Sequence, residues 1–148
     1  MTPKRIDVHQ AREAMSKEPG AVYLDVRTER EFAEGHPVGA INIPVGTPNP
    51  AAGRIDPNPD FVRVARAALP LDAPILVGCR TGPRAEMAAT LLLESGHRNV
   101  RWVQGGWVGL SDAAGNKVAP GWLELGFPIS HDIGDGIGYA SLKRKAGA

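Results

Sequence analysis

The sequence predicts an α/β fold, a mostly parallel sheet of about five strands with helices on both faces. Two observations carry this expectation. Short apolar runs at 21–26, 41–43, 75–77 and 99–103 alternate along the chain with stretches of helical period. Two of those runs, 21–26 and 75–77, are almost wholly apolar, as central strands covered on both faces are. The chain has 148 residues, a length that suits one domain with one core.

The elements follow in order. Residues 5–8 suit a short edge strand. Residues 8–16 read as a helix with Ala11, Ala14 and Met15 on its apolar side, stopped by Pro19-Gly20. The strand at 21–26 carries Asp25 near its C-terminal end, where open α/β sheets place ligands. Thr28 and Glu31 have capping-box spacing for a short helix over 28–32. Residues 35–40 form a turn, in which His36 reads as a hydrogen-bonding residue that shapes the chain rather than as a base. The stretch 45–60 is rich in Pro, Gly and Asn and has no period. It is either a surface excursion or a wall beside the site. Residues 60–69 read as a helix capped by Asp60, with Phe61, Val64, Ala65 and Ala68 in one stripe. A helix over 83–95 closes at Gly96. After the strand at 99–103, Gly105-Gly106 breaks the chain and a helix is expected to start at 107–110, with a last helical turn at 121–125. Trp102 and Trp107 read as core aromatics rather than as the lining of a pocket mouth. Residues 1–129 make the domain. Residues 130–148 are Gly-rich, end in a basic run, show no period and are expected to form a flexible tail dispensable for catalysis.

The stretch 75–84 concentrates the chemistry. It joins a strand to a helix through Cys79-Arg80-Thr81-Gly82-Pro83-Arg84, which holds the only cysteine. Such a turn leaves backbone N–H groups without intrahelical partners at the positive end of the helix dipole. That arrangement binds anions and favours a thiolate over a thiol. Gly78 and Gly82 permit backbone angles other residues resist, and Pro83 fits the first helical position. The expected site is therefore an anion cradle with the Cys79 sulfur at one end.

This loop resembles the active-site loop of the rhodanese (sulfurtransferase) family. Leu24-Asp25-Val26-Arg27 with Glu31-Phe32, the run from Gly35 to Pro44, and Gly105-Gly106-Trp107 resemble that family's other signatures in order and spacing. Pro37 is a departure, at a position usually aliphatic. The resemblance spans roughly residues 5–127. It implies the three-layer rhodanese-like α/β architecture and a thiosulfate sulfurtransferase-like enzyme. In that reading Cys79 takes the outer sulfur of a donor such as thiosulfate, carries it as a persulfide, and passes it to cyanide or a thiol. Arg80, Thr81, Gly82, Pro83 and Arg84 form the substrate-binding loop. Arg80 contacts the donor anion. Arg84 braces the loop through its planar fork, toward Asp25 or carbonyls of neighbouring loops. Asp25 serves as an anchor for backbone N–H groups. The rivals are a persulfide carrier that acts only with a partner protein, and a cysteine phosphatase or arsenate reductase. The loop between Cys79 and Arg84 is one residue shorter than in those phosphatases, too tight for a tetrahedral phosphate ester.

Composition bounds the remaining classes. The net charge of +1 gives no bulk attraction to nucleic acid. A single cysteine forms no internal disulfide, and no cysteine–histidine spacing suggests zinc. No cofactor or metal is expected. The N-terminal stretch lacks an apolar core, and no run approaches a membrane span of ~20 residues. A cytoplasmic protein without membrane or nucleic-acid partners is the expectation.

Overall fold

A computed structural model describes residues 2–148. Strand β1 (Lys4–Ile6) leads into helix α1 (Val8–Lys17), which Asp7 and Gln10 close as a capping box. Strand β2 (Val22–Asp25) precedes α2 (Glu29–Glu34), where Thr28 and Glu31 form the second capping box, as their spacing predicts. Strands β3 (His36–Pro37) and β4 (Ala40–Asn42) follow. The stretch without a period folds into an antiparallel hairpin of β5 (Gly46–Asn49) and β6 (Arg54–Pro57). Helix α3 (Phe61–Ala68) comes next, then β7 (Ile75–Gly78), α4 (Pro83–Glu94) and β8 (Val100–Val103).

The central sheet has five strands in the order β1-β8-β7-β2-β4, every pair parallel. Alternation along its strands sorts side chains into two cores, because successive residues point to opposite faces. On one face Leu24, Ile75 and Val77 pack against Phe61, Val64 and Ala65 of α3 and Ala85, Ala88 and Leu92 of α4. On the other, Tyr23 and Leu76 meet Val8, Ala11 and Ala14 of α1 and Phe32 of α2. This is the expected three-layer arrangement. Because β7 is flanked by β2 and β8, its four residues are all buried.

Four local expectations are corrected. Residues 107–110 do not start a helix. The chain turns and enters the hairpin β9 (Leu110–Ser111) and β10 (Lys117–Ala119), because Gly105, Gly106 and Gly109 all take positive φ there. Asp60 occupies the cap position of α3 without a side-chain cap bond. Its N–H donates to Asn58, and its carboxylate lies 3.9 Å from Lys143. Residues 130–148 are not a loose tail. Strand β11 (Ile129–Ser130) pairs with β3, and the Asn42 N–H at the edge of the sheet donates to the Ile137 carbonyl (2.9 Å). Helix α5 (Tyr139–Lys145) places Tyr139 and Leu142 in the same core as α3. Its basic end suits the negative end of the helix dipole. The boundary expected at residue 129 thus falls within β11, and the last segment completes the core. The fourth correction, the partner of Arg84, belongs to the site.

Candidate functional site

Cys79 follows β7 directly, at the C-terminal edge of the sheet, and is 2% exposed. The loop around it is fixed from one side. The carbonyls of Cys79, Arg80 and Thr81 accept from the N–H groups of Trp107 (3.0 Å), Val108 (3.0 Å) and Gly105 (2.7 Å). In a trans peptide the N–H points opposite to the carbonyl of the same unit. Tying three successive carbonyls to 105–108 therefore turns the N–H groups of Arg80, Thr81 and Gly82 the other way. That way is toward the sulfur, since the Gly82 N–H donates to Cys79 Sγ at 3.1 Å. Among the described residues, the N–H groups of Arg80, Thr81, Arg84 and Ala85 find no protein acceptor. They form the inner wall of a cradle at the N-terminus of α4.

Two glycines make this approach possible. Gly106 has φ +46°, and a Cβ there would lie 2.3 Å from the Cys79 carbonyl oxygen. Gly82, at the cap position of α4, has φ +152°, with the Trp102 ring 3.1 Å from where its Cβ would be. Trp102 itself lies in the core beneath the loop, as expected. Trp107 is half-buried, with the Arg27 guanidinium 5.0 Å from its ring centre.

The two loop arginines stand in different surroundings. Arg80 is exposed at the mouth, and its guanidinium has no carboxylate partner among the described residues. Arg84 is buried and paired with a carboxylate. Its two terminal nitrogens donate to the two oxygens of Glu31 at 2.7 and 3.0 Å. The expectation that Arg84 reaches Asp25 or loop carbonyls is corrected. The Asp25 carboxylate is already occupied by Arg27, which donates its backbone N–H (3.1 Å), Nε (3.0 Å) and Nη2 (2.7 Å). Asp25 is thus an anchor of a buried ion pair. Arg27 carries that anchor on to the Gly35 carbonyl (2.7 Å). Burial pushes the Glu31 carboxyl up, but Arg84 and the Thr28 N–H outweigh it and hold Glu31 at about 2. Burial likewise works against the Arg84 charge, and the bonds to Glu31 outweigh it and raise its pKa.

His36 is a structural residue. It is buried, stacked on Phe32 with ring centres 3.5 Å apart, and its Nδ1 lies 2.7 Å from the Phe32 carbonyl. A carbonyl only accepts, so Nδ1 carries the proton. Burial keeps the ring neutral by lowering its pKa, despite that carbonyl. Among the described residues no group of three or more His, Cys, Asp or Glu stands ready to hold a metal.

The structure brings Cys79, Arg80, Thr81, Gly82, Pro83 and Arg84 together in one loop and leaves Asp25 beneath it. Sequence reasoning gives Arg27, Glu31 and Gly106 no part in shaping the site. Glu31 is legible as a cap. Its second partner lies 53 positions away, so no local pattern announces it.

A buried cysteine at the head of a strand–turn–helix anion cradle, on a three-layer α/β fold, defines a class of proteins that work through a cysteine sulfur. The family model of the rhodanese-like domain matches residues 7–113, and the chain belongs to that family. Its relatives include thiosulfate sulfurtransferase 16, chloroplastic, of Arabidopsis thaliana, 41% identical over 88 residues that cover 60% of this chain and 72% of that protein. Thiosulfate sulfurtransferase 18 of the same plant is 35% identical over 127 residues, 84% of this chain and 82% of that one. A crystal structure of a protein from M. tuberculosis superimposes with a TM-score of 0.72 at 29% identity, covering 89% of this chain and all of the other.

Proposed function

We propose that this protein is a sulfurtransferase that moves a sulfane sulfur from a donor such as thiosulfate to a thiophilic acceptor through a persulfide on Cys79. The observation that carries the reading is the direction of the loop: its carbonyls are tied to 105–108, and the Gly82 N–H donates to the Cys79 sulfur. In the first step the Cys79 thiolate attacks the outer sulfur of thiosulfate. A new S–S bond forms, the donor's S–S bond breaks, and sulfite leaves with the electron pair. The negative charge then sits on the outer persulfide sulfur, where the N–H groups stabilise it as an oxyanion hole stabilises developing charge. In the second step cyanide or a thiolate attacks that sulfur, and Cys79 leaves again as thiolate. This is covalent catalysis with ping-pong kinetics. The added sulfur extends the buried side chain by about 2 Å toward the mouth, where an acceptor reaches it.

Arg80, unpartnered and exposed, suits the sulfonate oxygens of the donor. Arg84 spends both terminal nitrogens on Glu31. A phosphatase or arsenate reductase draws on the arginine that closes its loop to hold a tetrahedral oxyanion, and here both terminal nitrogens of Arg84 are taken by Glu31, which speaks against both. The test is thiosulfate:cyanide turnover beside a phosphatase assay, in the wild type and in Cys79→Ser. Sulfur transfer that vanishes in the variant, with no phosphatase activity in either, is the expected result. Phosphatase activity that depends on Cys79 would overturn the reading. A persulfide on Cys79 without turnover of cyanide or small thiols would replace it by that of a carrier serving a protein acceptor.

A further inference from the structure

Glu31 sits where two structural units meet. Its Oε1 accepts from the Thr28 N–H (3.1 Å), the Thr28 hydroxyl (3.1 Å) and Arg84 Nη1 (2.7 Å). Its Oε2 accepts from Arg84 Nη2 (3.0 Å). One carboxylate thus caps α2 and grips the second residue of α4. The grip is firm at both ends. Phe32, the next residue in α2, is buried in the core and stacked on His36. Arg84 is two residues beyond Gly82, whose N–H meets the Cys79 sulfur. The carbonyl side of the loop is held by 105–108. The helix side is held by Glu31.

We infer that Glu31 is a positioning residue for sulfur transfer, holding the cradle in register with Cys79 through Arg84. This rests on the sulfurtransferase reading of the same loop. Two simpler roles for Glu31 predict different behaviour. A carboxylate that only neutralises Arg84 weakens the positive field at the mouth. Removing its charge would then speed reaction with a dianion. A carboxylate that only caps α2 affects stability and leaves the chemistry alone. A positioning residue affects the chemical step, since loosening by ~1 Å can cost ~100-fold in rate.

Glu31→Gln separates these roles, because the amide oxygen still serves the cap while the charged, two-pronged grip is lost. Thr28→Ala is the reciprocal variant, losing the cap and keeping the Glu31–Arg84 pair. The expected result is a kcat for thiosulfate:cyanide transfer reduced ~10- to 100-fold in Glu31→Gln, beside the lower melting temperature that loss of the ion pair brings. Thr28→Ala should melt lower at unchanged kcat. Adding Glu31→Gln to Arg84→Ala should cost little more than Arg84→Ala alone, because both act through one contact. A second readout needs no sulfur transfer, the ratio of Cys79 alkylation rates by iodoacetate and iodoacetamide. A well-formed cradle favours the anionic reagent, so positioning predicts a lower ratio in Glu31→Gln and pure neutralisation a higher one. Absent turnover in the wild type, with this ratio lowered in the variant, would sink the sulfurtransferase reading and leave the role of Glu31 standing. Turnover that stays level or rises in Glu31→Gln, with the ratio level or raised, would overturn the proposal.

Discussion

The cradle loop at 79–84 and the closing segment at 130–148 both read in the sequence as glycine-bearing stretches without a period, yet they are ordered by different means. The loop is ordered through its backbone. Its carbonyls are bound to 105–108, and the arrangement leaves its N–H groups free to work. The closing segment touches the sheet edge through backbone bonds at Ser130 and Ile137, and its helix is seated by side chains. Tyr139 and Leu142 enter the core, and the Tyr139 hydroxyl meets Asn58 at 2.9 Å. The comparison teaches that holding a loop by its carbonyls makes it reactive, whereas holding a segment by apolar side chains makes it part of the scaffold. Changes in the first should alter rate more than stability, and changes in the second the reverse.

The largest effect is expected from Cys79→Ser. Nothing else in the chain forms a persulfide, so turnover should fall to background with the fold intact, read by steady-state kinetics and circular dichroism. Gly106→Ala comes next. Its Cβ would meet the Cys79 carbonyl at 2.3 Å, and the resulting shift of ~1 Å should cost ~100-fold in kcat. A variant as active as the wild type would show that the loop tolerates displacement.

The arginines sharpen the comparison within the loop itself. Arg80→Ala should raise the KM for thiosulfate and leave the melting temperature unchanged, because Arg80 is exposed and unpartnered. Arg84→Ala should lower kcat and the melting temperature together, because it strands the partly buried Glu31. Lysine should rescue position 80 better than position 84, where a fork is needed. Matching profiles for the two alanine variants would contradict the division of labour.

In the closing segment the order reverses. Leu142→Ala removes a buried side chain and should cost ~2–5 kcal/mol of stability with kcat unchanged. Truncation after Ser130 should destabilise further, contrary to the dispensable tail that composition suggests. Thermal melts and kinetics of both variants decide this, and a truncated chain that melts like the wild type would return the segment to the status of a tail.

The smallest effect concerns pH. Glu31 is held at about 2 against an ordinary 4.5. Its folded-state pKa is depressed, so its contribution to stability is present above ~4.5 and is lost as pH falls through ~2. The stability gap between the wild type and Glu31→Gln, measured by denaturant titration, should be constant from pH 7 to ~5 and close toward pH 2.

The features legible in the sequence divide along the same line as the comparison. The parallel sheet shows in apolar runs such as 75–77, and the cradle in one cysteine among glycines, arginines and a helix start. Such chemistry demands particular residue types close together in the chain. Residues 130–148 bury only a few side chains, too sparse to produce a period. Helix α5 gains its stability from contact with α3 rather than from its own pattern. The partner of Arg84 escapes the sequence for a related reason. Asp25 is the carboxylate visible at a strand end, but Arg27, two residues on, claims it. Glu31 looks fully employed as a cap. The expected helix start at 107–110 fails because paired glycines mark a break without specifying the structure beyond it.

The central claim is that Cys79 carries the transferred sulfur, and peptide mass spectrometry tests it most directly. Protein treated with thiosulfate and digested under non-reducing conditions should show the peptide containing Cys79 heavier by one sulfur atom, and cyanide should return it to its starting mass with release of thiocyanate. A peptide whose mass stays unchanged while thiosulfate is being turned over would contradict the account.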